Sequence, residues 1–108
     1  MGHDLIDRRS LELNQLIVAK IRRHPELMDL VSQNLDRTLS DPVLSESCKT
    51  ALREWRRILS LKSFDEILGI LVEDSDEGQR LRQSTPFTGI LNQRERLDVF
   101  RRHAPSGV

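Results

Sequence analysis

Residues 44–71, LSESCKTALREWRRILSLKSFDEILGIL, carry two consecutive helix signals, and the fold class follows from them. Leu44, Cys48, Leu52, Trp55 and Leu59 recur every three or four positions, as one face of a helix with about 3.6 residues per turn requires. Arg53, Glu54, Arg56 and Arg57 fall on the other face. Ser63-Phe64-Asp65-Glu66 then makes a capping box: the Ser63 hydroxyl accepts from the Glu66 amide while the Glu66 carboxylate reaches back. Such a cap is worth about 1 kcal/mol. Phe64, Ile67, Leu68 and Leu71 supply the apolar face behind it.

The same punctuation extends in both directions. Upstream, Leu13, Leu16, Ile17 and Ile21 share a helix face that Ser10 is placed to cap, and Arg22, Arg23 and His24 suit the negative end of its dipole. Pro25 suits a first helical position, and Leu27, Met28, Val31, Leu35 and Leu39 make a second stripe. Asp41-Pro42 ends that helix. Downstream, Asp74 or Ser75 opens a short helix containing Leu81. Asn92-Gln93-Arg94-Glu95 is a second capping-box start, with Leu97 and Phe100 expected to face inward. No segment alternates with period two, and no repeat or low-complexity tract appears. The expected architecture is all-α: a compact single domain over residues 1–108, built from five or six short helices, with frayed ends at 1–8 and 104–108.

Composition narrows the function classes. A chain of 108 residues can bury one modest core without disulfides. Its 17 basic and 17 acidic side chains cancel, so no global field draws it to nucleic acid or anionic lipid. Charge is zoned instead: residues 41–78 hold nine acidic and five basic groups, and residues 79–108 hold two acidic and six basic. The single Cys48 excludes an internal disulfide and fits a reducing compartment. Without a membrane-length apolar run or a secretory leader, the expected location is cytoplasmic, with no membrane partner.

Motifs for chemistry are sparse. His3, His24, Cys48 and His103 lack the close spacing of a zinc site, and Cys48 is expected to be a buried, inert thiol. Glu73-Asp74-Ser75-Asp76-Glu77-Gly78 fails as a calcium loop, because Gly78 falls at the fifth loop position and Thr85 where a bidentate Glu belongs. Five isolated glycines make no phosphate-binding loop. The expectation is no catalytic residue, no metal and no cofactor, hence not an enzyme. Arg94, Arg96, Arg101 and Arg102, with Arg80 and Arg82 upstream, leave nucleic-acid binding as an alternative, weakened by Glu95 and Asp98 among them. Between the arginines lies the uncharged insert Ser84–Ile90. There Phe87 and Ile90 either pack inward ahead of the Asn92 cap or form an exposed edge.

Residues Glu77-Gly78-Gln79-Arg80-Leu81-Arg82-Gln83-Ser84-Thr85-Pro86-Phe87-Thr88-Gly89-Ile90-Leu91, followed by Arg94-Glu95-Arg96, match the pattern E-G-x-R-L-R-Q-S-[ST]-P-F-x-G-[IV]-L. The likeness extends back to Leu52-Arg53-Glu54-Trp55 and leaves the first forty residues outside. In this half the chain resembles small helical bacterial proteins of unassigned biochemistry, similar to antitoxin-like members of toxin–antitoxin gene pairs. The resemblance implies a bacterial cytosolic protein that binds another protein, and it transfers no catalytic residue.

Together these readings give a protein-interaction module that masks or anchors a partner through residues 74–102. Arg80, Arg82, Arg94 and Arg96 are the expected cationic contacts and Phe87 the apolar anchor. Three alternatives stand beside it: nucleic-acid binding through the arginine-rich region, a homodimer paired through an apolar strip on the first two helices, and an enzyme whose site is assembled from distant residues in a concave pocket.

Overall fold

The capping residues marked in the sequence do open helices. Ser63 Oγ accepts from Glu66 N at 3.2 Å, and Glu66 Oε1 accepts from Ser63 N at 2.9 Å. Asn92 and Glu95 exchange the equivalent pair of bonds, both at 2.8 Å. Ser75 caps a third start through Gly78 N at 3.0 Å. These bonds satisfy amides that have no partner within the first turn of a helix.

The computed structural model describes the backbone of residues 2–102 and the side chains of residues 8–102. Its helices are α1 (Gly2–Arg23), α2 (Met28–Leu39), α3 (Glu46–Leu61), α4 (Phe64–Leu71), α5 (Asp76–Arg82) and α6 (Gln93–Arg102). A single 3₁₀ turn, Pro25–Leu27, joins α1 to α2, with Pro25 at its first position. No strand occurs among the described residues, and the chain is a compact all-α domain.

Trp55 on α3 is the centre of the core. It is fully buried, and its indole Nε1 donates to Leu81 O at 2.9 Å. The Phe87 ring meets it edge to face, with centroids 5.6 Å apart and planes at 66°. Ile17 and Ile21 of α1, Val31 and Leu35 of α2, and Ile67, Leu68 and Leu71 of α4 close around this pair. α6 lies antiparallel along α1. Lys20 pairs with Glu95 at 2.9 Å near one end, while Glu12 pairs with Arg102 and the Arg9 guanidinium covers Phe100 near the other.

Three local expectations need correction. α1 starts at Gly2, so Ser10 is inside the helix rather than its cap. The expectation for 104–108 lies outside the described residues. Cys48 is exposed, not buried. Ser45, Glu46 and Ser47 are exposed with it, so the first turn of α3 stands clear and its apolar face is buried only from Leu52 onward. In α6 the inward residue is Val99, fully buried, whereas Leu97 is 42% exposed. Leu97 and Val99 are roughly 200° apart around a helix, so they cannot share one face. The apolar strip expected on the first two helices packs against the core. The large apolar side chains left exposed, among those described, are Val43, Leu61, Phe64 and Leu97.

Candidate functional site

The five residues expected to meet a partner divide into three groups. Arg82 and Phe87 are inside the protein, at 4% and 2% exposure, and neither presents a surface for docking. Arg82 Nη1 donates to Glu73 O at 2.7 Å and Leu71 O at 3.4 Å. Those carbonyls close the C-terminal end of α4, where free acceptors and the helix dipole favour a cation. Gly78 permits the arrangement, because a Cβ there would lie 2.2 Å from Glu73 O. Gly78, Leu81 and Arg82 share the i, i+3, i+4 face of α5, so Gly78 together with the inward Leu81 is the sequence signal for the burial of Arg82.

Phe87 is held by the loop that carries it. Asn34, buried on α2, donates through Nδ2 to Pro86 O at 3.1 Å and Thr88 O at 2.8 Å, while Arg37 donates to its Oδ1 at 2.8 Å. Gly89 takes the left-handed conformation at φ 81°, which favours glycine, and turns the chain so that Ile90 and Leu91 enter the core. The inward alternative for Phe87 and Ile90 is the one the fold adopts.

Arg80 is exposed but engaged. It forks onto Glu54 at 2.9 and 2.8 Å and also grips Glu77. Hydrogen bonds from its guanidinium hold both carboxyls below their usual 4.5 and push the Arg80 pKa up. A partner's carboxylate would have to displace two internal ones.

Arg94 and Arg96 are exposed on α6, on different sides of it. Arg94 shares the outer face with Leu97, Asp98 and Arg101, spaced i, i+3, i+4 and i+7, and these side chains line a shallow concavity. Among the described residues no ion pair or hydrogen bond engages the side chains of Arg94, Arg96 or Arg101. Leu97 and Arg101 were absent from the expected contact set.

Arg96 lies on the other flank, at a cleft of about 190 Å³ between α1, the 84–91 loop and α6. Leu13, Ile17, Phe87 and Leu91 supply its apolar lining, and Ser10, Asn14, Arg82, Thr85, Thr88 and Arg96 its polar groups. Asn14 is 5% exposed; its Nδ2 donates to Ser10 O at 2.8 Å, yet its Oδ1 has no hydrogen-bond partner. A buried acceptor left in that state costs about 1–3 kcal/mol.

No group of three His, Cys, Asp or Glu among the described residues could hold a metal ion. His3 and His103 lie outside the described side chains, and His24 is at the surface 3.4 Å from Glu26. No helix among the described residues is long and apolar enough to cross a membrane. Compared with protein families, with curated proteins and with solved structures, the chain finds no match.

Proposed function

We propose that the protein is a small interaction module that docks an acidic partner protein on the outer face of α6. The observation that carries this reading is Leu97, 42% exposed between Arg94 and Arg101, which have no internal partner among the described residues. Arginine is among the residues enriched at binding hot spots, and Leu97 adds apolar area between the two guanidinium groups. The flanking charges set orientation and partner choice more than affinity. The resemblance of residues 77–91 to antitoxin-like bacterial proteins supports a cytosolic setting and a protein partner that is masked on binding. Because the distinctive residues of that pattern serve the fold, the contact is assigned to α6 and not to the pattern.

The test compares the immobilised wild type with a Leu97→Asp/Arg101→Glu variant, each exposed to lysate of the native host at about 50 and 200 mM salt. A protein retained by the wild type and lost by the variant, both sharing one helical circular dichroism spectrum, supports docking on α6. Equal retention overturns it. Nucleic acid eluting with steep salt dependence would install the nucleic-acid reading. A dimer by light scattering that becomes monomeric in the variant would install self-association.

A further inference from the structure

The cleft between α1, the 84–91 loop and α6 is separate from the outer face of α6, and its chemistry is specific. Its floor is apolar: Leu13, Ile17, Phe87 and Leu91. Besides Arg82, whose guanidinium is held by the carbonyls of Leu71 and Glu73, its polar groups are of two kinds. Arg96 is exposed there with no internal partner among the described residues. Thr85 Oγ1 accepts from Phe87 N at 3.1 Å, which leaves its own proton to donate. Asn14 is the opposite case. The bond from its Nδ2 to Ser10 O fixes which way the amide points, and the Oδ1 that remains is an acceptor without a donor.

We infer that this cleft binds a small carboxylate that carries an apolar body and an N–H group, the chemistry of an N-acylated aliphatic amino acid. The carboxylate meets Arg96, the N–H satisfies Asn14 Oδ1, and the aliphatic part covers the floor. A cavity of about 150 Å³ accommodates a benzene ring, so one of about 190 Å³ has room for a branched aliphatic side chain. The same chemistry arises from two sources, a free N-acyl amino acid or the C-terminal residue of a peptide.

The experiment titrates N-acetyl-L-leucine into the ¹⁵N-labelled protein and follows the amide spectrum. Saturable shifts at Asn14, Thr88, Gly89 and Arg96, with a Kd on the order of 1 mM, are expected for a ligand of this size. Arg96→Gln, a surface change, should weaken binding about tenfold, as should replacing the acid by its methyl ester. Asn14→Leu, which removes the acceptor and keeps the volume, should weaken it also. A pentapeptide ending in leucine that binds more tightly than the free compound identifies a chain terminus as the source; equal binding identifies a small molecule. No shift up to about 10 mM, as for a cleft that holds only solvent, overturns the inference. So does an ester that binds as well as the acid.

Discussion

The segment from α5 through its following loop and the helix α6 after it are both rich in arginine, yet they use the residue in opposite ways. In the first, Arg80 is forked onto Glu54 and Glu77, and Arg82 is buried against the carbonyls of Leu71 and Glu73. In the second, Arg94, Arg96 and Arg101 have no such partners among the described residues, and Arg102 alone is paired, with Glu12. The difference is one of surroundings. α5 lies between the end of α4 and the middle of α3, where carbonyls and carboxylates converge. The outer side of α6, at Arg94, Leu97, Asp98 and Arg101, is exposed among the described residues. A charge count alone therefore overstates the docking capacity of residues 74–102, because half of its cations already hold the fold together.

The largest effect that would break this comparison lies in the apolar residues of each segment. Phe87→Ala should cost about 3–5 kcal/mol, since it leaves a cavity against Trp55 at the centre of the core. Leu97→Ala should stay within about 0.5 kcal/mol, because its side chain is already half in water. Urea denaturation of the two variants measures both. A comparable loss in each would mean that α6 is packed on its outer face and is no free surface.

A smaller effect separates the arginines themselves. Arg82→Met keeps much of the volume but removes the donor to the end of α4, and it should cost about 2–3 kcal/mol. Arg94→Met should be neutral to within about 0.5 kcal/mol. Hydrogen exchange sharpens the contrast: Arg82→Met should speed exchange in α4 and α5 first, where the lost contact lies, while Arg94→Met leaves both unchanged.

Those assignments show which parts of the molecule are legible from sequence. The caps at Ser63, Ser75 and Asn92 are local, each decided within three residues, and the periodic faces of α3 and α4 follow from spacing alone. Long-range contacts are a different matter. Asn34 gives no sign in its own neighbourhood that it will grip a loop some fifty residues away, and Asn14 gives none that its carbonyl oxygen will be stranded in a cleft. Arg80 and Arg82 differ only in which side of a short helix they occupy; each is about 100° from Leu81, and it is Gly78, one turn before Arg82, that separates them once its close approach to Glu73 is known. Leu97 was misassigned for a related reason: an apolar residue in a charged helix suggests a core position, and only the helix angle to Val99 rules it out.

The subtlest difference between the two regions is in their response to acid. Arg80 lowers the carboxyls of Glu54 and Glu77, while the amide of Asn92 and then Lys20 lower that of Glu95 on α6. A carboxyl whose folded pKa is below its unfolded value adds stability that is fully present above that unfolded value, near 4.5, and is lost as pH falls through the folded one. The melting temperature should therefore be flat from neutral pH to about 5 and fall below it. All three groups are close to the surface, so the effect is small and should shrink further in high salt. In a Glu54→Gln/Glu77→Gln variant the fall should be shallower, because Arg80 then has no carboxylate to lose. Glu95→Gln should flatten the curve less, since it removes one shifted carboxyl where the other variant removes two; glutamine still accepts from the Asn92 amide, which protects the plateau near neutral pH and not the slope. If the two variants flatten the curve equally, the Arg80 fork is no tighter than a helix cap, and Arg80 returns to the set of cations available to a partner.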